Sequence, residues 1–147
     1  TKLGSMLDPI ADKAMVVIAL MVIVGYSSMS PWLVLPATVI MFREIFISGL
    51  REYLGDKTKL LQVTKIAKLK TSAQMVAIAI LFSHGVFEHY HITLSAKNYA
   101  SQKNLDFLSD AMIYSSNFGL VFLWLAAALT LISGFEYLRK SWPYLKG

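Results

Sequence analysis

Apolar residues in this chain arrive in long blocks separated by short charged stretches. One block runs from about Pro9 to Tyr26 and carries no charge beyond Lys13. A second runs from about Pro31 to Leu54 and is interrupted by Arg43, Glu44, Arg51 and Glu52. A third spans roughly Lys70 to Val86, and a fourth Phe118 to Leu138. Each is close to the roughly 20 residues that cross a hydrocarbon core at about 1.5 Å rise per residue. The pattern predicts an all-α chain, a polytopic membrane helix bundle with four transmembrane helices. Only SSMS separates the first two blocks, so they form a tight antiparallel hairpin. GDKTKLLQVTKIAKL is a basic connector between the second and third. The residues from His84 to Asn117 read as a long polar and aromatic loop, with a short surface helix near Leu105–Tyr114. There is no internal repeat, low-complexity tract or second domain.

Composition agrees with this reading and narrows it. Hydrophobic residues make up 56% of the 147, and charged residues 16%, against roughly 25% in a soluble globular chain. With no Cys, neither a disulfide framework nor a thiolate metal site can form. The net charge of +5 is a matter of topology. Because the sides alternate, 12 of the 14 Lys and Arg residues fall on one face of the membrane, leaving only Lys97 and Lys103 on the other. The positive-inside rule makes the crowded face cytoplasmic. Basic residues that flank membrane spans in this way exclude a peripheral nucleic-acid binder.

Three groups of residues on that face could carry chemistry. Gly4, Asp8 and Asp12 recur at i,i+4 and share one stripe of a helix. Asp8 followed by Pro9 can be an N-cap with proline at the first helical position. Alternatively, the two carboxylates hold hard divalent cations through oxygen, with Gly4 leaving room for a ligand against the backbone. Arg43 is the second group, about 12 Å inside the cytoplasmic end of its helix. At that depth an arginine is costly unless it faces a polar cavity or a partner such as Glu44. Arg51, two turns on, can face the same groove, and guanidinium forks suit phosphate. The third group is KIAKLKTSAQM, where Lys65, Lys68 and Lys70 either set topology or complete a cationic ring. His84, Glu88, His89 and His91 lie on the opposite face without helical metal-ligand spacing, and read as part of an interfacial loop with aromatic anchors.

Gly4-x-x-x-Asp8-x-x-x-Asp12 resembles the second half of the signature D-x-x-D-G-x-x-A-R…G-x-x-x-D-x-x-x-D of the CDP-alcohol phosphatidyltransferase family. LDPIADK, REIFISGLRE and KLKTSAQMVAIA are similar to its bacterial phosphatidylglycerophosphate synthase branch. The likeness runs from Thr1 to about Phe82 and resumes in the last helix. It implies a bundle of six membrane helices in a bacterial inner membrane, with a polar cavity open to the cytoplasm and two divalent cations, Mg²⁺ or Mn²⁺, held by four aspartates. Residues 1–147 would be the C-terminal part of one such domain, carrying four of the six helices. The implied reaction joins CDP-diacylglycerol and sn-glycerol 3-phosphate into phosphatidylglycerophosphate and CMP. By the resemblance, Asp8 and Asp12 are metal ligands, and Asp12 is also the base that takes the proton from the acceptor hydroxyl. Gly4, Arg43, Arg51, Lys68 and Lys70 are the substrate-binding candidates.

The implied partners are the two substrates and membrane lipids, with no nucleic acid, and with pairing as a homodimer open. The D-x-x-D-G-x-x-A-R half does not occur in the chain, so the 147 residues are expected to be an N-terminally truncated piece, inactive alone. Two alternatives stay open. One is a sibling enzyme with another acceptor: inositol phosphate, phosphatidylglycerol or serine. The other is a transporter or a non-enzymatic membrane subunit, in which the aspartates merely cap.

Overall fold

A computed structural model describes residues 2–55, 65–96 and 101–145; the side chains of residues 2–6, 8, 9, 12 and 65–68 lie outside the described set. Four helices follow one another: α1 (Lys2–Tyr26), α2 (Pro31–Leu54), α3 (Lys65–Ala96) and α4 (Gln102–Leu145). Among the described residues α2, α3 from Leu69 onward, and α4 are long and apolar enough to cross a membrane, whereas α1 offers the shorter apolar stretch Lys13–Tyr26.

The α1–α2 hairpin forms where the spacing places it. Pro31 opens α2, and Ser30, just before it, accepts from the N–H groups of Leu33 and Val34 at 3.0 and 2.9 Å. The chain reverses through Ser28 and Met29, both at positive φ (52° and 57°). At its other end α2 stops at Gly55, whose φ of 51° suits a residue without a Cβ.

One open alternative is removed and one expectation is overturned. α1 begins at Lys2, so Asp8 sits inside the helix and is not its N-cap. Of Lys2–Leu7 only Gly4 is a weak helix former. Pro9 removes the bond that its missing N–H would give to the Ser5 carbonyl and crowds that carbonyl, a local cost within a continuous helix. The expected loop from His84 to Asn117 is also largely helical. α3 continues to Ala96, past the expected end at Val86, and α4 starts at Gln102, ahead of the expected Phe118. Polarity ends a membrane span but not a helix, and this segment has no proline and only one glycine, Gly85. At about 1.5 Å per residue, α3 and α4 run to about 48 and 66 Å, well beyond a hydrocarbon core of about 30 Å. Both helices are therefore longer than one crossing requires.

α3 and α4 make the most extensive contact, α2 lies against α4, and α1 touches α2 and α3. The core joins Val16, Leu20 and Ile23 of α1, Ala37 and Ile40 of α2, Ala73, Ala77, Ile78 and Leu81 of α3, and Leu123, Ala126 and Ala127 of α4. Small residues dominate the α3–α4 seam, as expected where lipid is as apolar as leucine and packing must come from close approach. Gly119 marks the tightest point. A Cβ there would lie 2.6 and 2.7 Å from Cδ2 and Cγ of Leu81. Large apolar side chains such as Phe42, Ile45, Val121 and Phe135 point outward, where lipid would meet them.

Candidate active site

The register of the first hairpin is set by Lys13, which donates to the Ser48 hydroxyl. The Lys13 turn of α1 therefore runs alongside the Arg43–Arg51 stretch of α2. The α1 position of Asp12 then falls between the levels of Arg43 and Arg51, at the end of the bundle away from the Ser27–Ser30 turn. Gly4, Asp8, Asp12 and Lys68 are placed by backbone alone: the first three on α1, the two aspartates one turn apart, and Lys68 in the first turn of α3. Their side chains lie outside the described residues, as do Lys57 and Lys59 of the connector.

The structure does bring Arg43 and Lys70 together, through Glu44. Oε1 of Glu44 lies 3.5 Å from one terminal nitrogen of Arg43 and also accepts from Lys70 Nζ. The side chains of Arg43, Glu44 and Lys70 are only 11%, 18% and 7% exposed. One carboxylate against two cations leaves this group with a net charge of +1. A second terminal nitrogen of Arg43 donates to the Ser133 hydroxyl of α4 at 3.2 Å. The guanidinium arm crosses Gly134, where a Cβ would lie 3.0 Å from Arg43 Cγ and 3.4 Å from Nε. Arg51 stacks over the Tyr137 ring, 5.2 Å from its centroid, in cation–π geometry.

Thus one face of α4, formed by Thr130, Ser133, Gly134 and Tyr137, carries both arginines of α2. The local bonds of that face are internally directed: Ser133 donates to the Thr130 carbonyl at 3.1 Å and Ser141 to the Tyr137 carbonyl at 2.8 Å. Arg43 Nε, Thr130 Oγ1 and the Tyr137 hydroxyl are buried with no hydrogen-bond partner among the described residues. Such atoms cost about 1–3 kcal/mol each when left unsatisfied, and all three belong to this junction. Gln74, one turn beyond Lys70 on α3, is also buried.

Sequence reading missed this α4 face. Its signal was present as Thr130, Ser133, Tyr137 and Ser141, polar residues at intervals of three and four within an apolar span. Glu44 was noticed only as a partner for Arg43, and its bond to Lys70 depends on how α3 packs.

A separate cavity of about 730 Å³ lies at the opposite end of the bundle, lined by Tyr26, Ser30, Trp32, Leu81, His84 and Glu88 among others. Its walls are mostly apolar and include none of the candidate site residues. His84 Nδ1 is 3.0 Å from the Met112 carbonyl oxygen. Among the described residues no three His, Asp or Glu side chains converge as a metal site.

The model of the CDP-alcohol phosphatidyltransferase family matches residues 1–132. The chain belongs to this family of transferases. It is 52% identical over 159 residues to the CDP-diacylglycerol–glycerol-3-phosphate 3-phosphatidyltransferase of Cereibacter sphaeroides, covering 99% of the chain and 72% of that protein. Proteins of the same name from Pseudomonas fluorescens and Bacillus subtilis are 35% and 32% identical, again over 99% of the chain, and it spans 64% and 62% of their lengths. No solved structure matches. The membership agrees with three helices long enough to span a membrane and a buried cation cluster at one end of the bundle.

Proposed function

We propose that this chain is the C-terminal part of a single membrane domain that transfers the phosphatidyl group of CDP-diacylglycerol to sn-glycerol 3-phosphate. The products are phosphatidylglycerophosphate and CMP, and the site faces the cytoplasm across a bacterial inner membrane. The observation that carries the reading is the Arg43–Glu44–Lys70 cluster, beside Arg51, at the level of the family's aspartate motif. Among the described residues the cluster carries a net positive charge, which suits an acceptor that brings its own phosphate better than serine or another neutral alcohol. The bacterial relatives, named as CDP-diacylglycerol–glycerol-3-phosphate 3-phosphatidyltransferases, support the same donor and acceptor.

In this reading Arg43, Arg51, Lys68 and Lys70 bind the glycerol phosphate and aim its free hydroxyl toward α1. Asp12 accepts the hydroxyl proton as the oxygen attacks the phosphatidyl phosphorus. The P–O bond to CMP breaks as the new one forms, and CMP carries away the electron pair. Holding the hydroxyl beside that phosphorus supplies much of the acceleration. Gly4 leaves the backbone open where the donor approaches.

Asp8 and Asp12 stand one turn apart in the interior of α1, a position that capping does not explain and that suits two oxygen donors. They would hold divalent cations, Mg²⁺ or Mn²⁺, whose chemistry is to neutralise charge on the phosphates. These 147 residues contain no D-x-x-D-G-x-x-A-R, so the chain by itself lacks half of the family's metal ligands and is expected to be inactive.

The test is Asp12→Asn in the full-length polypeptide that carries these residues. Glycerol-phosphate-dependent CMP release should fall by at least about a thousandfold, within the range covered by loss of a general base and a metal contact. Release at the wild-type rate would exclude Asp12 from the chemistry.

A further inference from the structure

We propose that Glu44 is the resident counter-anion of the cationic pocket, and that the acceptor's phosphate takes its place on Arg43 and Lys70 during turnover. This rests on the reading of those two cations as the acceptor site, and it gives a role to the acid that contacts both of them.

The geometry lets Glu44 part from Arg43, while Lys70 is its close partner. A single oxygen of Glu44 serves both cations. The Arg43 contact, at 3.5 Å, is at the outer limit of a hydrogen bond. Arg43 and Glu44 are consecutive on α2, and consecutive helical side chains leave about 100° apart and do not face each other. Their contact depends on both side chains reaching round the helix, so a change of Glu44 rotamer breaks it without moving the backbone. Arg43 would stay in place when that happens, because Ser133 holds its other terminal nitrogen and Gly134 receives its arm.

Charge supplies the need. Around Glu44 stand Arg43 and Lys70, with Arg51 one helix stretch away over Tyr137. Without Glu44, Arg43 and Lys70 would face each other in a low-dielectric setting between turnovers. With a dianionic phosphate bound, the same carboxylate would be a like charge inside the site, and like charges at contact distance are strongly unfavourable there. An acid that neutralises the empty pocket and swings aside for the phosphate meets both conditions. It also disfavours non-phosphorylated alcohols, which cannot displace it.

The experiment measures KM and kcat for sn-glycerol 3-phosphate at saturating CDP-diacylglycerol, using the full-length polypeptide in detergent micelles. Lys70→Met comes first and should raise the acceptor KM about tenfold or more, as the loss of one charge-assisted contact does. An unchanged KM there would fail the acceptor-site reading itself, whatever Glu44 does. Given that rise, Glu44→Gln decides the inference: removal of a competing anion should lower the acceptor KM, by about threefold to tenfold. A higher KM would overturn the proposal and make Glu44 a fixed support for Lys70. Should Glu44→Gln not fold, for want of its charge among the cations, the double variant Glu44→Gln/Lys70→Met is compared with Lys70→Met alone. A lower KM in the double variant supports exchange, and an equal or higher one overturns it.

Discussion

Gly134→Ala is the substitution that most sharply separates positioning of Arg43 from general stability. The new Cβ would lie 3.0 Å from Arg43 Cγ and 3.4 Å from its Nε, so the arm has to move by a few tenths of an ångström. Its hold on α4 has little slack. The bond to Ser133 that positions it is already 3.2 Å, and a shift of that size takes it past useful hydrogen-bond length. Hydrogen bonds to charged groups contribute about 1.5–3 kcal/mol, so acceptor affinity should fall by about tenfold to a hundredfold. The helix itself gains, because alanine is better than glycine in a helix interior by about 1 kcal/mol, and this offsets the local crowding. The assay is acceptor KM at saturating CDP-diacylglycerol, paired with thermal unfolding of the same preparation. A KM at least tenfold higher, with a melting temperature within a few degrees of wild type, is the expected result. An unchanged KM would refute the claim that α4 sets the position of Arg43.

The opposite behaviour is expected at Gly119. Gly119→Ala drives a Cβ to within 2.6 Å of buried Leu81 and should cost about 1–3 kcal/mol of stability through overpacking, measured by thermal unfolding in detergent, while acceptor KM stays near wild type. Topology can be read by cysteine labelling, since the chain has no cysteine of its own. In intact spheroplasts Asn104→Cys should react with a membrane-impermeant maleimide, and Glu52→Cys should react only after lysis; the reverse pattern would invert the cytoplasmic placement of the site.

How far the sequence could be read differs from element to element, for physical reasons. α2 was legible to the residue at both ends, because Pro31 and Gly55 punctuate it. The α3–α4 extension was misjudged because hydropathy reports where a helix leaves lipid, while helix termination depends on proline, glycine and capping, and 86–96 and 102–117 contain no proline or glycine. Asp8 was ambiguous for the converse reason: Asp-Pro is a good helix start, and only the helical backbone from Lys2 removes that option. At the site, Arg43 announced itself as a charge within an apolar block, and Lys70 as one of the KIAKLK lysines at the edge of the next. Ser133 and Gly134 did not, since small and weakly polar residues are common in membrane helices, and their value lies in facing Arg43 across a helix pair. The Glu44–Lys70 bond joins residues 26 positions apart, and no local pattern encodes it.

The central claim is that the cationic pocket accepts a phosphorylated glycerol and receives a phosphatidyl group from a CDP-lipid. Its most direct test is product identification. The full-length polypeptide, purified in detergent, is given CDP-diacylglycerol, Mg²⁺ or Mn²⁺, and equal concentrations of sn-glycerol 3-phosphate, inositol phosphate and serine. The lipid product is then resolved by mass spectrometry. Phosphatidylglycerophosphate formed in step with CMP is the expected result; a product carrying inositol phosphate or serine, or no lipid product from an enzyme that still binds CDP-diacylglycerol, would contradict it.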